Sequence, residues 1–263
     1  MQDFELARRY IFGNMHRIKG YLGPIDALAI STVLIGQKEA LKSGGIAEIG
    51  IFFGRSFLLM ASLIGKHEKA LAADLFAIGQ SSDGKDSRQL ATFLNNAREI
   101  GLQLDRKMIF VGDSRNLDGS PELLEACPLR FVSIDGGHNF NAVTSDANLA
   151  SKVITDFGVI CFDDFCAPGL PDVTLGVFDF LRLGGDAFTP FVITQNKLFV
   201  CRREYHDFYI DMMLGSNLLN KVAKKSIYMK SVPVLFLHQS FMRRARYEAF
   251  VRAGLGRLNE CFY

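Results

Sequence analysis

The 263-residue chain has no tryptophan, seven prolines and five cysteines, Cys127, Cys161, Cys166, Cys201 and Cys261, with no C-x-x-C pair among them. An odd, widely spaced set argues against a disulfide framework or a zinc ribbon, and reads as reduced thiols in a cytoplasmic protein. Net charge is nearly absent as well, since 30 Lys plus Arg against 28 Asp plus Glu leave +2. That balance argues against an acidic solvating tail and against a surface built to coat nucleic acid. No apolar run is clean enough to span a membrane: Ile46 to Gly65 is interrupted by Glu48, Arg55 and three glycines. Asp3 and Glu5 stand where a secretory leader carries basic residues, so secretion is disfavoured. What is present, 49% hydrophobic and 22% charged residues, suits a globular chain that builds its core without staples.

Along the chain, residues 2 to 41 carry helical spacing (Leu6, Tyr10, Ile11), and Pro24 suits the first turn of a second helix. From Ser43-Gly44-Gly45 onward, short apolar runs ending in Gly or Asp alternate with polar, helix-compatible segments. Ile46 to Ile49, Ala70 to Ala73, Met108 to Val111, Arg130 to Ile134 and Gly158 to Phe162 are the expected strands. Helices are expected at Ser56 to Ile64, Ser87 to Ile100, Ala142 to Val153 and Thr174 to Leu183. Phe188 to Thr194 and Lys197 to Cys201, joined by Gln195-Asn196, predict a closing antiparallel hairpin. The expectation is an α/β fold with a mostly parallel seven-stranded sheet, whose ligands bind beyond the carboxyl ends of the strands. Residues 1–43 are N-terminal helices on this reading, 44–206 the sheet domain, and 207–263 a helical extension of it.

The strand ends hold the informative residues. Glu48-Ile49-Gly50-Ile51-Phe52-Phe53-Gly54-Arg55-Ser56 follows the first strand, and its glycines allow a tight turn and a close backbone approach to a ligand. Asp74 ends the second strand, where an acid takes ribose hydroxyls in such folds. The two together imply an adenosine-containing ligand, and E-x-G-x-x-x-G in place of G-x-G-x-x-G favours one without phosphates. Asp113-Ser114 follows the third strand and offers acceptors to an exocyclic amine; a capped turn before Pro121 explains it equally well.

Ser133-Ile134-Asp135-Gly136-Gly137-His138 and Cys161-Phe162-Asp163-Asp164-Phe165 end the fourth and fifth strands. Acids gathered on one sheet edge need a cation, a cationic ligand or protonation to compensate them. Asp135, Asp163 and Asp164 suit Mg²⁺ or another divalent ion, and His138 suits a general base.

In these residues the chain resembles the class I S-adenosylmethionine-dependent methyltransferases of Rossmann-like fold, over about residues 44–203. Glu48 to Ser56 is similar to the first motif of the catechol O-methyltransferase type. Ile134 to His138 and Phe162-Asp163-Asp164-Phe165 look more like the macrocin O-methyltransferase-like group, many of which modify sugar hydroxyls. The resemblance implies that Glu48, Gly50 and Ser56 hold the methionine part of S-adenosyl-L-methionine, with Gly54 also at the cofactor, Asp74 the ribose, and Asp113 with Ser114 the adenine edge. It places Asp135 between cofactor and metal, Asp163 and Asp164 on the metal, and His138 where relatives carry a basic residue. Relatives often read I-D-G-D-H, whereas Gly137 replaces the second acid here. The implied reaction is O-methylation of a small-molecule hydroxyl, on a sugar or related natural product, with divalent-metal assistance.

Two other readings stay open at the level of sequence: an NAD-dependent oxidoreductase, which shares the acid at Asp74, and a cofactor-binding fold without chemistry. Residues 207–263 carry +5 against −3 for the rest of the chain. That basic segment reads first as a solvated helix face or a homo-oligomer contact and second as an attractor for an anionic acceptor, with nucleic acid disfavoured for want of a binding motif. Walls of the acceptor site are expected from the N-terminal helices and from residues 165–173.

Overall fold

The computed structural model describes residues 2–79, 87–184 and 187–263. Helices α1 (Gln2–Arg9) and α2 (Pro24–Glu39) precede an alternating series: β1 (Gly45–Ile49), α3 (Arg55–Ser62), β2 (Ala70–Asp74), α4 (Arg88–Glu99) and β3 (Ile109–Val111). Then follow α5 (Pro121–Ala126), β4 (Leu129–Ile134), α6 (Phe140–Val153), β5 (Ile154–Phe162), α7 (Pro171–Leu183), β6 (Phe188–Ile193) and β7 (Leu198–Arg202). The chain closes with α8 (His206–Gly215), β8 (Ala223–Met229), β9 (Val232–His238) and α9 (Phe241–Arg252).

Among the described residues the strands form one nine-stranded sheet in the order β3-β2-β1-β4-β5-β7-β6-β9-β8. The first five strands pair in parallel, and β7 runs antiparallel to both β5 and β6. Successive side chains of a strand alternate faces, and β1 shows the outcome. Ile46 belongs to the core shared with α2, α3 and α8, while Ala47 and Ile49 belong to the core shared with α5, α6 and α7. Both faces are therefore covered, which is why the central strands read as continuous apolar runs.

Helix α2 is buried over nearly its whole circumference, as expected of a helix enclosed by a sheet and by neighbouring helices. Tight and wide helical turns over residues 10–17, followed by irregular chain to Gly23, separate α1 from α2, whose first turn holds Pro24 as expected.

Two expectations are corrected. The sheet has nine strands, not seven, and residues 207–263 are not wholly helical, because β8 and β9 form an antiparallel hairpin whose β9 joins β6 in parallel. The reason lies in β8, whose Ala-Lys-Lys-Ser-Ile-Tyr-Met sequence sits at a sheet edge with much of its surface in solvent, so it lacks the apolar signal of a core strand. Lys224 and Lys225 thus belong to an edge strand and not to a helix face. Among the described residues the five cysteines form no disulfide, and no helix is long and apolar enough to cross a membrane.

Candidate active site

The site forms where the parallel strands end. Gly50 and Gly54 adopt φ of +89° and +90° in the turn between β1 and α3. A Cβ on Gly50 would stand 1.9 Å from the Asp135 carbonyl oxygen, because β1 and β4 are neighbours, and one on Gly54 would meet the Phe93 ring at 2.5 Å. Backbone conformation and space both demand glycine at these positions.

Asp74, at the end of β2, accepts the Ile51 and Phe52 amides on Oδ2 at 2.6 and 3.0 Å and the Phe76 amide on Oδ1 at 2.7 Å. It pins the glycine turn to the neighbouring strand. Two residues of α4 that carry no motif in the sequence brace the turn from the other side. Gln89 donates to the Phe52 carbonyl and Asn96 to the Phe53 carbonyl. Below the turn, Glu48 is buried and takes one hydrogen bond, from Ser133 at 3.0 Å on Oε1. Its Oε2 and the nearby buried Ser56 hydroxyl have no other partner among the described residues. Burial, reinforced by the Asp135 charge, pushes the Glu48 carboxyl up to about 8.

Beyond β3, Asp113 caps the following turn and clasps the Arg115 guanidinium, which holds its carboxyl down at about 2. Behind Ser114 lies a residue whose sequence pattern is that of one more polar position on a helix. Asp146 of α6 is almost wholly buried, with no partner beyond the Ser114 hydroxyl among the described residues, and burial pushes it up to about 6.

Asp135, Asp163 and Asp164 do not form one cluster of equivalent acids. Asp163 Oδ2 lies 2.7 Å from the ammonium of Lys197, a buried cation that precedes β7. Burial alone would raise the Asp163 carboxyl, but Lys197 holds it below the usual range. Asp135 shifts the other way, raised by burial and by the Asp163 charge. His138 Nε2 stands 3.3 Å from Asp164 Oδ2 and 3.9 Å from Asp135 Oδ1. These carboxylates raise the imidazole above its ordinary value, Asp135 most of all.

Among the described residues, ligand atoms of Asp135, His138 and Asp164 all fall within 4.8 Å of one another. Asp163, the middle member of the three-aspartate set expected from sequence, pairs instead with an internal lysine.

Asp164 opens onto a cleft of about 760 Å³. Its walls come from the irregular chain around Tyr21, from Arg55 of α3, from the Gln195-Asn196 turn, and from Arg244 and Tyr247 of α9. The first of these belongs to the N-terminal region. Residues 165–173 do not line this cleft, and of that loop Val173 borders the small cavity beside Asp135 and His138. The second wall comes instead from α9, because β9 carries the chain back to the sheet beside β6 and delivers the last helix over the strand ends.

A sheet wound on both faces and closed by an antiparallel strand is the Rossmann-like fold that this chain shares with solved methyltransferases. Residues 47–165 match the family described as a methyltransferase domain. Among solved structures, the O-methyltransferase NovP aligns with a TM-score of 0.59 at 14% identity, covering 76% of this chain and 97% of its own. The calicheamicin methyltransferase CalS11 aligns at 0.51 and 14% identity, over 66% of this chain and 77% of its own. Cofactor-bound Rv0187 from MTB aligns at 0.51 and 12% identity, over 77% and 90%. No curated protein sequence matches the chain.

Proposed function

We propose that the protein transfers the methyl group of S-adenosyl-L-methionine to a hydroxyl oxygen of a polar small molecule. The observation that carries this reading is the buried Glu48 carboxylate, one oxygen of which has no protein partner beyond the Ser56 hydroxyl among the described residues, beneath a turn that only glycine fits, in the segment that matches a methyltransferase domain. A buried acid with so few partners is costly, and the ammonium of a methionine moiety supplies a further partner and the missing charge. Glu48, Gly50, Gly54 and Ser56 would hold that moiety and Asp74 the ribose, with Asp113 and Ser114 beside the adenine. When bound, the cofactor supplies a sulfonium methyl as electrophile.

The chain's own residues do the rest. The turn and Asp135 fix one reactant, and the cleft beside Asp164 fixes the other, so that held geometry removes much of the entropic barrier. The acceptor hydroxyl would give up its proton to the His138 ring nitrogen that does not face the carboxylates, as the methyl supplied by the bound cofactor is taken up by the oxygen. His138 Nε2 faces Asp164 and Asp135 as an N–H donor, an orientation that would leave the other ring nitrogen as the base, and both carboxylates would stabilise the imidazolium that results.

Carboxamides (Gln195, Asn196), guanidiniums (Arg55, Arg244) and tyrosines (Tyr21, Tyr247) make the cleft suited to a hydroxyl-rich acceptor such as a sugar-bearing natural product. NovP and CalS11, O-methyltransferase and calicheamicin methyltransferase, support that direction. Calorimetric titration with S-adenosylhomocysteine and with NADH tests the cofactor assignment: binding of the first alone is expected, and binding of NADH alone would overturn it. A screen of glycosylated acceptors followed by mass spectrometry then tests the transfer.

A further inference from the structure

One carboxylate pairs with a buried ammonium group, and three more from separate segments lie within range of its charge. The Lys197 side chain is 2% exposed and its Nζ lies 2.7 Å from Asp163 Oδ2. Asp26 at the start of α2, Glu48 of β1 and Asp135 after β4 all lie close enough to feel its charge. The other oxygen of Asp163 is also taken: Asn196 Nδ2 donates to Oδ1 at 2.7 Å, and so does the Asp164 amide at 2.9 Å. Asn196 Nδ2 lies 3.1 Å from Asp164 Oδ1 as well, so the same side chain ties both acids together.

A divalent ion needs carboxylate lone pairs that are free and a negative potential to settle into. At Asp163 an ammonium and two N–H donors already occupy most of the lone pairs, and the ammonium offsets the negative charge. An ion placed between Asp135 and Asp163 would sit beside a fixed positive charge in a region with little water to screen it.

We propose that Lys197 is the resident counter-cation of the strand-end acids, taking the electrostatic place of a divalent ion, so that methyl transfer at this site needs no added metal. Only the last clause rests on the methyl-transfer reading. Lys197 is a positioning residue: it fixes Asp163, which with Asn196 fixes Asp164, and His138 remains a base and not a ligand.

Titration with Mn²⁺ followed by electron paramagnetic resonance tests the proposal without any acceptor. Wild-type protein is expected to leave the free Mn²⁺ signal undiminished, and Lys197→Arg to behave the same. Lys197→Met is expected to tighten Mn²⁺ binding by about ten-fold or more, since an opposing charge is gone, and the added substitution Asp163→Asn to abolish the gain. Should Lys197→Met fail to fold, the wild-type and Lys197→Arg titrations decide alone. Stoichiometric Mn²⁺ binding by wild-type protein, lost in Asp164→Asn or His138→Ala, would overturn the proposal. So would methyl transfer that stops in chelator and returns with Mg²⁺. Failure to bind S-adenosylhomocysteine would instead count against the methyl-transfer reading, and the Mn²⁺ titration would still judge Lys197.

Discussion

The Asp74 carboxylate accepts the backbone amides of Ile51 and Phe52 at 2.6 and 3.0 Å, so the end of the second strand holds the turn that follows the first. The acid proposed to take the ribose is therefore also a clamp for the glycine turn, with one oxygen on that turn and the other on Phe76. Asp74→Ala removes both functions. We expect a loss of about 2 kcal/mol in urea unfolding, from hydrogen bonds to a charged acceptor, together with a clear drop in S-adenosylhomocysteine affinity. An unchanged unfolding midpoint would show that the clamp is idle.

Gly50→Ala tests the turn itself. The alanine Cβ would meet the Asp135 carbonyl oxygen at 1.9 Å, and the left-handed backbone adds about 1–2 kcal/mol. The turn must move, so cofactor binding is expected to vanish while the far-ultraviolet circular dichroism of the sheet and helices stays near wild type. Retained binding would show that the turn is not the cofactor's cradle.

Stability should fall with rising pH because of Glu48. Its folded-state value of about 8 lies above the 4.5 of an ordinary glutamate, so the folded chain binds the proton more tightly. The neutral carboxyl's contribution is fully present below 4.5 and lost as pH rises toward 8, at up to about 1.4 kcal/mol per unit. Asp135, also raised, acts in the same direction. Glu48→Gln should flatten the slope of unfolding free energy between these limits and leave the variant relatively more stable at pH 8. Parallel profiles for the two proteins would mean that Glu48 is ionised in the fold.

His138→Gln should lower kcat by about 10²–10⁴-fold, the usual range for a lost general base, with S-adenosylhomocysteine affinity unchanged. The wild-type rate should rise with pH as the imidazolium gives up its proton, with an inflection above 6.5 because neighbouring carboxylates raise the group. The inflection should disappear in the variant. A kcat within a few-fold of wild type would remove His138 from the chemistry.

Arg244 and Tyr247 face the cleft from the last helix. Arg244→Ala and Tyr247→Ala should raise KM for the acceptor several-fold and leave cofactor affinity alone. Equal effects on both ligands would place the acceptor elsewhere.

The strand-end residues are legible in the sequence because a parallel sheet advertises itself: Ala70–Asp74 and Leu129–Ile134 are apolar runs that stop abruptly at a turn or an acid. Lys197 is not legible. It sits 34 positions from Asp163, inside what reads as the beginning of a strand, and only the pairing of β5 with β7 brings the two together. Arg130 is hidden in the same way; it reads as the start of a strand, yet its guanidinium is buried against Glu68 and Gln37. Buried ion pairs between distant segments leave no periodic trace. Asp146 is a third case, since a polar residue in an amphipathic helix is ordinarily assigned to solvent.

The edge strand β8 bears on how the molecule behaves in a crowded solution. Without the β8–β9 hairpin, β6 would end the sheet as a row of unpaired backbone groups flanked by Phe188, Phe191 and Val192, a ready template for self-association. The hairpin moves that boundary outward to a strand carrying Lys224 and Lys225, whose charges repel a second copy approaching edge-on. The same few residues that bring the last helix over the cleft therefore also act as gatekeepers against aggregation.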